Sequence, residues 1–484
     1  MKPFSVLGGA ILALLLGGCA TYKDDTEGLR TAWAAGNVKQ AAQIAGSNAE
    51  QKKGSGTALL WYLEDGATTR ADAQFDRSLA AFNQADAKID YWDSQPAVSV
   101  SAEAAAIMVN QTVLSYRGTS YDKIMESTYQ ALNYLQLGQP DQARVELNRA
   151  RERQRAAVEA NAARIASAQE AAAAASNGTL NANSAAANKT APEDSYDVQR
   201  AQNDPGFKAN LQNAYGSLDG LHYYTPYVNP FSVFLEGIYF LARGDTGADL
   251  ERGRVALNQV RSLTGDNPFI NADCDLADKM ANGAPLPETT YVIYETGMAP
   301  IRDEVRIDIP LFIVSRSVPY VGVAFPQLRF NSQYNPGLIV QAGKGEPLRT
   351  VLLCDMDLVI AQEFRNELPV IIVKTLISAG AKAAAQYGLY AATKGNNALS
   401  LFAEIGGTLY QFATNRADLR TWVTLPKQFV YCRLPTPADR KLQLTNQGTG
   451  LTQTVDLPPG VVTIVYVKSN TFADRLLVNT FTLR

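Results

Sequence analysis

Two carboxylates one residue apart, Asp355 and Asp357 in "LLCDMDLV", are the residues of this chain best spaced for acid–base chemistry, and Glu363 follows them. On a continuing strand, alternate residues share a face, so both carboxyls would point the same way. A pair so placed can serve as proton donor and base in breaking a glycosidic bond. The same pattern also marks a solvated strand end or a helix cap, and that reading stands beside it. Other chemistry is poorly provided for. The single histidine, His222, makes no imidazole cluster for a metal and reads as a packed or hydrogen-bonding ring. Cys274, Cys354 and Cys432 stand 80 and 78 residues apart, with no C-x-x-C pair. Neither a G-x-S-x-G elbow nor a Walker sequence occurs. We therefore expect no catalytic, metal-ligating or cofactor-binding residues, and no cofactor.

The remaining reactive residue is Cys19. A lone Lys2 precedes the apolar run "VLGGAILALLLGG", and the chain turns polar at "TYKDD". That run has the layout of a signal peptide and is too short to cross a bilayer, which takes about 20 residues. Small Gly17 and Gly18 admit a peptidase, and the Cys19 thiol offers a thioether site for diacylglycerol. Leu16-Gly17-Gly18-Cys19 resembles the bacterial lipobox. Ala20, where an aspartate would favour the inner membrane, implies a lipid-anchored protein of the outer membrane, facing the periplasm. Three acyl chains, palmitate among them, would make the anchoring essentially permanent.

Removing residues 1–18 takes away one basic side chain and no acid, leaving 43 Lys and Arg against 47 Asp and Glu over 466 residues. So mild a charge argues for neither nucleic acid nor an anionic lipid surface as partner. Three cysteines beyond Cys19 allow at most one intramolecular disulfide, and buried apolar thiols are expected for at least two.

An α+β chain is expected. Residues 19–280 read as helical, rich in Ala, Leu, Gln and charge. In "IMESTYQALNYLQLGQPDQARVELNRARER" two amphipathic helices meet at Gly138. Ala131 and Tyr134 share a face of the first, and Ala143, Leu147 and Ala150 share a face of the second. This spacing resembles the tetratricopeptide repeat (TPR), with Gly138 at its turn, although Arg155 stands where a closing proline is usual. Echoes recur around Trp33, Gly36 and Ala41, around Gly66, Ser78, Phe82 and Ala85, and around Gly237, Phe240, Gly244, Leu257 and Val260. Insertions break the period, so an irregular superhelix of TPR-like helix pairs is expected. Within it, residues 149–195 read as a projecting Ala-rich helix with a mobile return, a spacer or a contact with a neighbouring subunit. His222, Tyr223, Tyr224 and Tyr227 then form an aromatic junction or interaction site.

Composition turns β-rich near Pro285. Residues 285–420 read as a mixed α/β domain, with strand runs at 290–295 and 302–314 and prolines at 310, 319 and 326 that suit edges. A new helix is expected from Pro369, its lysines Lys374 and Lys382 arguing against a membrane span, with a partner helix over 397–422. Residues 421–484 read as a small antiparallel β unit of five strands.

The stretches "YYTPYVNPFSVFLEGIYFLARGD", "VIYETGMAPIRDEVRIDIPL" and "LRTWVTLPKQF" resemble a poorly characterised family of bacterial outer-membrane lipoproteins with TPR-like repeats, often encoded near the lipoprotein activator of penicillin-binding proteins. The resemblance implies a cell-envelope role and brings no catalytic residues. The expected function is a lipid-anchored scaffold binding envelope or periplasmic proteins. Two alternatives are a self-assembled outer-membrane ring or sleeve, which would make the chain a homo-oligomer, and a peptidoglycan-binding or hydrolysing protein using Asp355 and Asp357.

Overall fold

The structure is a computed structural model that describes residues 22–95, 114–176, 198–224, 227–310, 320–393, 416–472 and 475–484. The signal-peptide segment, Cys19, most of the expected mobile return and most of the expected 397–422 helix lie outside the described residues.

Helices come first in the chain. After a short turn α1 (Tyr22–Asp25), α2 (Glu27–Ala34), α3 (Val38–Gln51), α4 (Ala58–Ala71), α5 (Phe75–Asp93), α6 (Ser120–Gln136) and α7 (Pro140–Ser176) pack consecutively. The short α8 (Val198–Asn203) and α9 (Pro205–Tyr215) follow, then the stack α10 (Pro230–Arg243), α11 (Gly247–Thr264) and α12 (Pro268–Ala281). Local sequence sets many of these boundaries. In both "VNPF" and "DNPF" the asparagine side chain accepts the first free N–H groups, at 3.0 and 3.1 Å for Asn229 and 3.1 and 3.3 Å for Asn267. The proline after each needs no N–H partner at the first helical position. Gly138 closes α6 at φ +70°, a conformation that costs side-chain-bearing residues. Ala131, Ala143, Leu147 and Ala150 are all buried between α6 and its neighbours, with Tyr134 half-buried at the edge.

The C-terminal region is built on a five-stranded sheet, order β11-β10-β1-β7-β6. Its strands are β1 (Thr289–Thr296), β6 (Val351–Asp355), β7 (Gln428–Pro435), β10 (Val462–Ser469) and β11 (Leu477–Thr482). Strand β1 runs parallel to β10 and antiparallel to β7. Alternation then sorts side chains between two cores. Tyr291, Ile293, Phe429, Tyr431, Ile464 and Tyr466 face the helices, where Phe231 stacks on Phe429 with ring centroids 3.8 Å apart. Val292, Tyr294, Val430, Cys432, Val465 and Val467 face a second sheet, order β5-β4-β8-β9. That sheet comprises β4 (Leu338–Gln341), β5 (Leu348–Arg349), β8 (Lys441–Asn446) and β9 (Thr452–Asp456). The layers are thus helices, mixed sheet and antiparallel sheet, a mixed α+β fold with an N-terminal helical-repeat region and a C-terminal β-sheet region. A third apolar cluster joins the ribbon β2 (Ile301–Pro310) and β3 (Tyr320–Arg329) to α7, α9 and a long helix α13 (Met356–Thr393).

Several expectations need correction. Residues 421–484 are not a separate antiparallel unit: β7, β10 and β11 share a sheet with β1 and β6, and β8 and β9 share one with β4 and β5. Pro369 does not begin a helix but lies inside α13, which runs 38 residues. None of the described helices is long and apolar enough to cross a membrane. The Ala-rich helix does not project freely. Ala168 and Ala172 are buried against α8 and α13, because small side chains let helix backbones approach closely and need no thick core. Cys274, Cys354 and Cys432 are all free and buried, and burial pushes the Cys432 thiol up to about 12.

A close helix contact gives a test. A Cβ on Gly66 would lie 2.5 Å from the ring of Phe82, which is fully buried and held between Tyr129 and Trp422. Gly66→Ala gains helix propensity but overpacks this contact, so we expect a net loss of about 1–3 kcal/mol in urea unfolding of the soluble chain. Unchanged stability would contradict the packing.

Candidate functional site

The carboxylates singled out from sequence are placed differently from each other. Asp355 ends β6, while Asp357 already lies in the first turn of α13, so no continuing strand aligns them. The Asp355 carboxylate accepts from the Asp357 backbone N–H at 2.9 Å and from the Gln428 amide at 2.9 Å, capping α13. Asp357 forms an ion pair with Lys427. Burial raises its carboxyl to about 6, against the opposing pull of Lys427. Glu363 reaches the start of α6, accepting from the N–H groups of Ser120 at 2.6 Å and Tyr121 at 3.0 Å. All three therefore cap helices or pair, and none of the cavities described below is lined by them.

The aromatic junction fastens onto the same helix. Tyr224 accepts from the Asp355 N–H through its hydroxyl at 2.9 Å and from Gln362 through its carbonyl at 2.7 Å. The Tyr223 hydroxyl donates to Leu218 O at 2.5 Å, and the Tyr227 hydroxyl accepts from Asn366 at 3.4 Å. His222 is exposed beside them. The arrangement carries the chain from α9 into α10 across the face of α13.

A set of buried carboxylates that the sequence reading passed over links the helices to the sheet. Glu295 on β1 accepts from the Tyr129 hydroxyl of α6 at 3.0 Å and closely engages Tyr466 and Lys468 of β10. Burial alone would raise its pKa, but the Lys468 charge and hydrogen bond hold it below the usual carboxylate range. Arg70 lies over the rings of Tyr129 and Tyr466 and donates to Asn133 at 2.6 Å. These groups line a cavity of about 20 Å³, room for a water and not for a substrate. Asp273 of α12 accepts from Tyr291 at 2.7 Å, Tyr431 at 3.1 Å and Arg433 at 2.8 Å. Glu64 of α4 accepts from Tyr22 at 3.0 Å, from the Val423 N–H at 2.7 Å and from Thr424 at 2.6 Å. Each is an acid with donors from other elements, an arrangement that fixes their relative placement.

The open space lies elsewhere. A groove of about 510 Å³ runs between α7 and α11, floored by Val228 and Val233. Val158 on one wall is 53% exposed and Val255 on the other 49%, so one groove holds two solvent-facing aliphatic side chains. Arg151, Arg155 and Arg252 line it with Glu236 and Glu251. Glu236 pairs with Arg252 at 2.6 Å and Arg151 at 3.5 Å, while Arg155 is exposed and has no ion-pair partner among the described residues. No sequence signal marked this groove: its two walls lie about 100 residues apart in the chain, and a single exposed valine on a helix is unremarkable.

The buried acids make stability depend on pH. Burial raises Glu64 from the ordinary 4.5 to about 7. Folded protein then holds a proton that unfolded chain has released between those values. Its contribution is full below pH 4.5 and is lost as pH rises to about 7. Glutamine at 64 keeps the shape without the titration. We expect the stability gap between Glu64→Gln and the parent to shift in the variant's favour by roughly 3 kcal/mol from pH 4.5 to 8. A gap independent of pH in urea titrations would contradict a neutral, buried Glu64.

No protein-family description, no curated protein and no solved structure matches this chain.

Proposed function

We propose that the protein is a lipid-anchored scaffold of the bacterial outer membrane, held by acylated Cys19, whose TPR-like helix pairs grip a protein partner on the periplasmic side. The lipobox resemblance at Leu16–Cys19 supports the anchor. The buried Ala131, Ala143, Leu147 and Ala150 positions about the Gly138 turn support the repeat reading. The observation that carries the binding role is the groove between α7 and α11, with Val158 and Val255 exposed on opposite walls. Its excess of guanidinium groups, with Arg155 unengaged among the described residues, selects the occupant: a segment of an envelope protein carrying an aliphatic residue beside carboxylates. The alternative hydrolase reading loses its motive, since Asp355 and Asp357 are engaged by Gln428 and Lys427.

Two experiments test this. Feeding cells a labelled fatty acid should label the parent chain and not Cys19→Ser, whose product should leave the membrane fraction. Equal labelling of both would remove the anchor. A photoreactive residue at 255 should cross-link to one envelope protein, and the same group at the exposed Tyr91 should not. Titration of that purified protein should show Val158→Glu with Val255→Glu weakening binding at least about tenfold, as expected when apolar contact is replaced by repelling or desolvated charge. Indifference to position or to the double substitution would overturn the groove.

A further inference from the structure

The first described residues are tied to three different elements. Tyr22 is buried, its hydroxyl donates to Glu64 of α4 at 3.0 Å, and its ring meets Trp61 edge-on at 5.6 Å. Thr26 donates back to Tyr22 O at 2.8 Å. Lys23 pairs with Asp303 of β2 at 2.6 Å, and Asp25 pairs with Lys52 at the end of α3. The chain is therefore anchored to the body from Tyr22 onward. Cys19 stands three residues earlier, and three residues reach at most about 10 Å when fully extended.

We propose that the protein has no free linker between lipid and body, so that its Tyr22 end, together with the adjoining end of the β2–β3 ribbon, rests on the phospholipid surface in one fixed orientation. This rests on the lipidation of Cys19. The ribbon end carries groups suited to that position. Asp303, already held by Lys23, also pairs with Arg329 at 3.4 Å, and Arg329 is followed by Phe330, 41% exposed. An exposed aromatic ring next to a long basic side chain suits the headgroup layer, where the ring is half-solvated and the cation meets phosphate. The occupant is set by reach: a bilayer surface within about 10 Å of Tyr22 leaves no room for a protein between them. Val255 of α11, exposed in the groove, belongs to neither the Tyr22 end nor the β2–β3 ribbon and serves as the position for comparison.

The test uses the full-length lipidated protein in vesicles of phosphatidylethanolamine and phosphatidylglycerol. Its described thiols are buried, so nitroxides can be placed singly at the exposed Ser332→Cys, beside Phe330, and at Val255→Cys. Power saturation should show a severalfold lower accessibility to a water-soluble nickel chelate at 332 than at 255. Inserting ten Gly and Ser residues after Ala20 should abolish that difference while the protein still floats with the vesicles. Equal, water-like accessibility at both sites in a protein that floats would overturn the fixed orientation and leave the lipid anchor standing. Failure of the parent protein to float would remove the anchor and this inference with it.

Discussion

Strand β1 is buried along its whole length, and the rest of the molecule is arranged around that constraint. A strand covered on both faces must find two separate apolar partners. It finds helices on the side of Tyr291 and Ile293, and a second sheet on the side of Val292 and Tyr294. Its hydrogen-bonding edges are filled by β7 and β10, strands that lie more than 130 residues further along the chain. The helical region therefore does not stand apart from the β-rich region. It is one wall of the core that β1 occupies.

Buried acids reinforce this joint. Glu295 and Asp273 draw hydrogen bonds across the boundary between helices and sheet, Glu64 ties α4 to the turn before β7, and each would be costly if its partners moved away. Such groups add specificity: an apolar interface could slide, whereas a carboxylate between Tyr129, Tyr466 and Lys468 has one register. The consequence for function is rigidity. A body that holds its own N-terminal turn, through Tyr22 and Glu64, would hold a fixed position relative to the proposed anchor at Cys19.

Much of the local structure was legible in the sequence, because its causes are local. Asn-Pro pairs mark the starts of α10 and α12, and Gly138 marks the turn of a helix pair. What escaped depended on distant partners. Nothing local says that β1 pairs in parallel with β10, so residues 421–484 looked self-sufficient. Proline normally signals a helix start, and only the apolar packing of Leu368, Val373 and Leu376 carries α13 through Pro369. Asp355 and Asp357 looked like a catalytic pair until a strand-to-helix transition fell between them. The buried acids of the helix–sheet boundary were invisible for the same reason, since Glu64 meets Val423 and Thr424 across some 360 positions.

Helices and sheet packed on both faces of β1 should form one cooperative body. Native-state hydrogen exchange on the soluble chain tests it most directly. The core amides of β1 and of α10 should exchange through the same global opening, with equal free energies and equal dependence on denaturant. Exchange of α10 through a smaller opening that leaves β1 protected would contradict it.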